Sequence, residues 1–258
     1  QEIMPGAIYW GSKDYDLRDY SQAFNMIKHH HPHAIVHLAA KVGGLISNLE
    51  NQWQYFEDNM RINMNVLMAA KNLKINRLIG ILSTCIYGDF DESFYPLSED
   101  QIHRAALPVS NYGYAMSKRA LATGIDLCAN TGLKYNYLIP CNLYSEHGDF
   151  GTVSHYVNSL IRKIHESKNH EYDKIILMGS GTPLRQFMYA GDLAYIIKIC
   201  LDKNICINMN VSTPENRTIK QIAETALRAC DMKHLKICFD TNKPDGQYRK
   251  DVSIKRLR

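Results

Sequence analysis

No apolar run in this sequence approaches the roughly 18 residues needed to cross a bilayer. The opening residues Gln1-Glu2-Ile3-Met4-Pro5 carry no secretory-leader pattern. There is no Cys-x-x-Cys pair, which argues against a zinc site, and no metal is expected. Neither charge dominates: 30 Lys and Arg against 26 Asp and Glu leave a net charge of +4 over 258 residues. That balance reads as a mixed, solvated surface, with no nucleic-acid or membrane partner. Internal repeats and low-complexity linkers are also missing. Hydrophobic residues at 45% and charged residues at 22% exclude disorder, collagen and coiled coil for the chain as a whole. The length suits one large domain, or one domain with a small lobe.

Seven cysteines, at 85, 128, 141, 200, 206, 230 and 238, are an odd number in a long chain without a leader pattern. They read as reduced thiols, and a cytoplasmic location is expected. The stretch His29-His30-His31-Pro32-His33 has a metal-binding composition. No acidic or thiol partner is spaced beside it, so a solvated loop is expected.

What is present is alternation. Ala34–Ala39 is a short β-branched apolar run between Pro32 and Gly43-Gly44 and reads as a buried strand. Residues 51–73 carry Phe56, Met60, Met64, Leu67 and Met68 at helical spacing. A strand follows at Leu78–Ser83, then a helix at 113–130 and a strand at Tyr135–Ile139. Further elements are expected at 153–167, 191–202 and 218–230 (helices) and at 174–178, 206–211 and 235–239 (strands). A further strand is expected at Ala7–Trp10, before Gly11-Ser12-Lys13. The alternation argues for βαβ units and an α/β, Rossmann-like doubly wound parallel sheet. The long loop from Gly88 to Asn111, with Pro96 and Pro108, is of the kind that borders active sites.

The central chemical candidate is Tyr114-Ala115-Met116-Ser117-Lys118. Spacing i, i+4 puts phenol and ammonium on one helix face. The ammonium is expected to pull the phenol's pKa from about 10 toward neutrality, fitting it for proton exchange with a carbonyl. About one chance match to so short a pattern is expected, and Tyr9 to Lys13 is one. Context favours Tyr114, because it follows the strand ending in Ser83-Thr84-Cys85-Ile86-Tyr87, and open α/β sheets bind ligands beyond such strand ends. Ser83, Tyr114 and Lys118 therefore form a serine–tyrosine–lysine set of the short-chain reductase type. Ser12 and Lys13 suit a ribose 2′-phosphate, although Asp14 lies beside them. Gly179-Ser180-Gly181-Thr182-Pro183-Leu184-Arg185 reads either as a phosphate cradle or as a plain turn.

Joined, these segments resemble the GDP-L-fucose synthases of the extended short-chain dehydrogenase/reductase family. The resemblance runs from about residue 8 to 257. It rests on Asp16-Leu17, His37-Leu38-Ala39-Ala40-Lys41-Val42-Gly43-Gly44, Ser83-Thr84-Cys85-Ile86-Tyr87, Asn111-Tyr112-Gly113-Tyr114 through Lys118-Arg119, and Pro140-Cys141-Asn142-Leu143-Tyr144. It continues in Gly179 through Phe187 and in Asp240 through Gly246. The resemblance implies NADP(H) as cofactor and 3,5-epimerisation with 4-reduction of GDP-4-keto-6-deoxy-mannose. Tyr114 would protonate the C4 oxygen with Lys118 and Ser83, while Cys85 and His155 would be epimerisation base and acid. Asp16 and Leu17 would lie at the adenine. Ala39, Ala40 and Lys41 would lie along the cofactor, and Pro140, Asn142, Leu143 and His155 near the nicotinamide. Lys163, Met178, Arg185 and Lys243 would hold the GDP part. The implied organisation is an NADP-binding domain over 1–150, rejoined by part of 186–215, and a substrate lobe over 151–258. A homodimer through helices 51–73 and 113–130 is also implied.

The departures carry expectations too. None of the 15 glycines forms a Gly-x-x-Gly-x-x-Gly turn. The family's first strand and helix, and its helical tail after Arg258, are not in the sequence, so a fragment that binds NADPH poorly is expected. Gly88 stands where the family has proline, and Ser145-Glu146-His147-Gly148-Asp149-Phe150 replaces Gly-Pro-His-Asp-Asn-Phe. The loop before His155 is about one residue short, and Met178 replaces a tryptophan. Two other readings are a reductase of a related GDP-sugar such as a heptose, and a non-catalytic remnant that binds nucleotide sugar.

Overall fold

The computed structural model describes residues 3–151 and 154–258. Its centre is a four-stranded parallel sheet in the order β1 (Ile35–His37), β2 (Arg77–Ile81), β3 (Lys134–Pro140), β8 (Met209–Val211). Strand β2 is Arg-Leu-Ile-Gly-Ile and is buried along its whole length, as expected of a central parallel strand covered on both faces. Alternation sorts its side chains. Leu78 and Leu82 join Tyr135, Tyr137 and Ile139 against α3 (Gln52–Asn72) and α4 (Tyr112–Ala129). Ile79 and Ile81 join Leu138, Met209 and Val211 against Leu193 and Ile197 of α6 (Ala190–Asp202). Helices on both faces make the sheet doubly wound, a Rossmann-like α/β fold.

The remaining elements attach to this frame. Helix α1 (Tyr20–His30) starts at an Asp19 cap, whose Oδ1 accepts from Ser21 N at 2.8 Å, and buries Ala23 and Ile27. A short α2 (Leu45–Glu50) precedes α3. The pair β4 (Asn142–Tyr144) and β7 (Phe187–Tyr189) and the pair β6 (Leu184–Arg185) and β9 (Arg217–Thr218) link the sheet to a second core. There the parallel pair β5 (Lys174–Met178) and β10 (Lys236–Asp240) packs with α5 (Tyr156–His170) and α7 (Ile219–Ala229) around Leu160, Ile164, Ile175, Leu177, Ala223 and Leu227. Among the described residues no helix is long and apolar enough to cross a membrane.

Several expectations are corrected. Residues 7–10 form no strand; Ile8, Tyr9 and Trp10 are exposed in an irregular segment with no strand beside it. Helix α1 was not expected, and it absorbs His29 and His30, so only His31 to His33 form a connection. The loop 88–111 is folded into three 3-10 turns, at Glu92–Phe94, Glu99–Gln101 and Val109–Asn111. The strand expected over 206–211 begins only at Met209. The expected helix start at 153 lies outside the described residues, as do Gln1, Glu2 and Thr152.

Candidate active site

Beyond β2 the chain stays extended through Ser83 and then tightens into a 3-10 turn, Thr84–Ile86. Ser83 Oγ accepts from Cys85 N at 3.3 Å and caps that turn. Both side chains are thereby placed past the carboxyl end of the central strand. Helix α4 supplies Tyr114 and Lys118 one turn apart. Its first turn is fastened to α3: Gln52 accepts from Gly113 N at 2.8 Å and donates to Val109 O at 2.6 Å.

Lys118 is 2% exposed, donates to Ile81 O at 2.7 Å, and lies 6.0 Å from the centroid of the Tyr114 ring. Burial draws its pKa down to about 8. Burial drives the Tyr114 phenol the other way, above its usual value. The neighbouring Cys85 adds to that rise and a hydrogen bond with Ser83 opposes it. The expected fall toward neutrality is therefore corrected. Desolvation of the phenol outweighs an ammonium that is itself bound to a carbonyl, and Tyr114 keeps its proton.

A third segment reaches the thiol. Lys250 Nζ stands 3.7 Å from Cys85 Sγ. Arg185 also lies near this sulfur, and its guanidinium donates to Leu184 O at 2.7 Å, Tyr248 O at 3.3 Å and Gln247 O at 2.5 Å. Burial lowers the Arg185 pKa, with Cys85 foremost among the groups opposing that fall. Ser83, Cys85, Tyr114, Lys118 and Arg185 are thus brought together. Sequence reasoning missed Lys250, for no local motif marks it. Lys243 instead is exposed, with no side-chain hydrogen bond or ion pair among the described residues.

The glycine-rich turn settles toward its plainer reading. Gly179 N donates to Asp240 O, and Ser180 N donates to Asp245 Oδ1 at 2.6 Å. These amides are occupied by the protein itself. Gly179 has φ +79, where a side chain would be strained, and its Cβ would fall 2.1 Å from Asp245 Oδ1. Nearby, Lys163 donates to Ile176 O at 2.5 Å, and Met178 is half-exposed at the end of β5.

Residues 39–41 leave the end of β1, and Asn59 of α3 holds Lys41 by both backbone groups, at 2.8 and 3.0 Å. Lys41 Nζ pairs with Asp58 at 2.7 Å. Arg18 bridges Asp58 and Asp16, and its hydrogen bond holds the Asp16 carboxyl down at about 2. Leu17 packs against the main core. Pro140 ends β3, and Asn142 donates to Gln186 O at 2.9 Å. His155 is the residue before α5. With Leu143, Val42, Gly43 and Tyr144 it lines a cavity of about 160 Å³, and it makes no hydrogen bond to Cys85 or Tyr114. Beneath Lys118, His37 Nε2 lies 2.9 Å from Asn63 Oδ1. Asn63 Nδ2 donates to Ser117 O at 3.2 Å, so Oδ1 accepts and the His37 proton sits on Nε2. Among the described residues no group of three His, Cys, Asp or Glu is placed to hold a metal.

Comparison with known proteins gives the family. The family model described as "NAD dependent epimerase/dehydratase family" matches residues 11–211. A GDP-L-fucose synthase of Dictyostelium discoideum is 33% identical over 257 residues, covering 97% of this chain and 79% of that protein. A probable GDP-L-fucose synthase of Drosophila melanogaster is 33% identical, covering 97% and 81%. The crystal structure of a GDP-L-fucose synthetase from Naegleria fowleri bound to NADP superposes with a TM-score of 0.84 at 28% identity, covering 97% of this chain and 77% of that chain.

Proposed function

The chain belongs to the NAD dependent epimerase/dehydratase family, and on that premise we propose that it is an NADP(H)-dependent GDP-L-fucose synthase. The proposed reaction is 3,5-epimerisation and 4-reduction of GDP-4-keto-6-deoxy-mannose. The observation that carries this reading is the meeting of Ser83, Cys85, Tyr114 and Lys118 at the end of β2. A reductase acid and a thiol share one place there, as an enzyme that both reduces and epimerises requires.

The residues present fit the ribose and nicotinamide end of the cofactor. Lys118 carries three N–H groups, one of them spent on Ile81 O, which leaves donors for ribose hydroxyls. Asn59 holds the 39–41 backbone against α3 in a fixed course along the strand end. Asp16, Leu17, Ala39, Ala40, Lys41, Pro140, Asn142 and Leu143 would hold the rest. Bound there, the dihydronicotinamide supplies the hydride that reduces C4. Tyr114, which keeps its proton near neutral pH, delivers it to the C4 oxygen, and Ser83 hydrogen-bonds that same oxygen. Cys85 as thiolate takes a proton from C3 or C5, acidified by the C4 ketone, and becomes a thiol. His155 as imidazolium gives a proton to the opposite face and becomes neutral. Exchange with solvent restores both.

The lobe around β5 and β10 takes the GDP part in this reading, with Arg185, Met178, Lys163 and Lys243 beside it. A homodimer through α3 and α4 is supported by their exposed Trp53, Met64, Met68 and Leu127. Seven free cysteines support a cytoplasmic location. The test is turnover of GDP-4-keto-6-deoxy-mannose with NADPH. Tyr114→Phe should lower reduction by about 10² to 10⁴; full reductase activity in that variant would overturn the assignment.

A further inference from the structure

We propose that Lys250 is a positioning residue for Cys85: its ammonium donates to the sulfur, aims it into the site and stabilises the negative charge it bears when it acts as base. The inference deepens the reading of Cys85 as the epimerisation base and rests on it. Lys250 Nζ is 3.7 Å from Cys85 Sγ, and both residues are part-buried. Lys250 has no carboxylate partner among the described residues. The adjacent Asp251 is already taken, bound by Arg249 at 2.5 and 3.0 Å. The other groups near the sulfur are the Arg185 guanidinium, fixed on three carbonyls, and the protonated Tyr114 phenol. Lys250 is thus a cation in direct contact with the thiol, and Arg185, which Asp245 also influences, is a second cation acting on it, an electropositive setting for a cysteine.

The cation is also held in place. Leu97 N donates to Asp251 O at 3.0 Å, Ser253 N donates to Leu97 O at 2.8 Å, and Val252 N donates to Gln186 at 2.9 Å. Tyr95 donates to Arg249 O at 3.1 Å, and its ring lies 5.0 Å from the Arg249 guanidinium. The long loop 88–111 thus acts on the site by anchoring the extended segment that carries Lys250.

The test uses the purified protein without sugar or cofactor. Alkylation by iodoacetamide at pH 7 is followed at each cysteine by peptide mass. Lys250→Met should slow labelling of Cys85 about tenfold, while the exposed Cys206 and Cys238 label at their wild-type rates. Lys250→Gln should show the same loss, which separates charge from a packing effect of Met. Lys250→Arg should return Cys85 to within about threefold of wild type. Wild-type labelling of Cys85 in both neutral variants would overturn the proposal. With substrate, solvent deuterium entry at C3 and C5 should fall in the same proportion. Slowed labelling with undiminished deuterium entry would overturn instead the reading of Cys85 as base.

Discussion

Gly113 precedes Tyr114 in the first turn of α4, where that helix abuts the start of α3. A Cβ built on it would lie 2.2 Å from Gln52 O and 3.0 Å from Gln52 C. The obstacle is backbone at the head of a 21-residue helix, so no rotamer change relieves it. Reaching even 3.0 Å takes about 0.8 Å of movement between the two helices. Alanine favours a helix over glycine by about 1 kcal/mol, yet overpacking of this kind costs about 1–3 kcal/mol. Gly113→Ala should therefore destabilise by about 1 kcal/mol net, which lowers the melting temperature by about 2–4 °C in a chain of this size. The larger effect should fall on catalysis. Tyr114 rides on the displaced turn, and misplacement near 1 Å costs about 10²-fold in rate. Melting by circular dichroism and reductase turnover read the two effects separately. Gly6→Ala, with nothing within 4 Å of the new Cβ, is the matched control and should change neither. Wild-type turnover and melting in Gly113→Ala would refute the claim that contact between these helices sets the phenol's position.

Two further predictions concern pH. The pKa of Lys118 is about 8 in the folded protein against 10.5 ordinarily, so the unfolded chain binds more protons between those values and stability rises with pH there. Lys118→Met should remove about 2 kcal/mol of that rise between pH 8 and 10, read by urea melts; an unchanged slope would count against burial as the cause. Burial and the nearby Lys118 hold the pKa of His37 at about 4, below 6.5. Stability should therefore fall as pH drops from 6.5 to 4, and His37→Gln should flatten that loss in acid melts. Finally, Asn59→Ala leaves both backbone groups of Lys41 without their partner and should cost about 2 kcal/mol. It should also weaken NADPH binding measured by calorimetry, and unchanged binding would remove 39–41 from the cofactor's course.

The sheet was legible because its strands are buried on both faces and so read as apolar runs bounded by turns. Helices α3 and α4 were legible because one face of each carries the core. Helix α1 was overlooked although Asp19, Ala23 and Ile27 mark a cap and one buried stripe. Residues 7–10 show the opposite error. An apolar run makes a strand only when a neighbour takes its hydrogen bonds, and Ile8, Tyr9 and Trp10 have none beside them. At the site, Ser83, Tyr114 and Lys118 could be read because short spacings tie them to one strand end and one helix. The protonation of Tyr114 could not be read, since i, i+4 spacing reports proximity and says nothing of burial. Lys250 was invisible for a plainer reason: 165 residues separate it from Cys85, and only the folded path of 249–252 beside Leu97 joins them.

The two halves of the chemistry rest on different supports. The phenol and its lysine ride on α4, clasped to α3 by Gln52 and to β2 by the bond from Lys118 to Ile81. The thiol sits on the turn after β2, but the cation that faces it comes from the 249–252 segment, anchored to Leu97 and Gln186. A perturbation of the α3–α4 contact moves the proton donor most, and reaches the sulfur through the phenol beside it and through Arg119, which donates from α4 to Ile86 O at 2.7 Å. A perturbation of the 249–252 anchor moves Lys250 away from the sulfur and leaves the α3–α4 clasp in place. Loss of the 249–252 anchor should therefore cost epimerisation more than reduction, since the cation that faces the base comes from that segment while the acid that protonates C4 is held by α4.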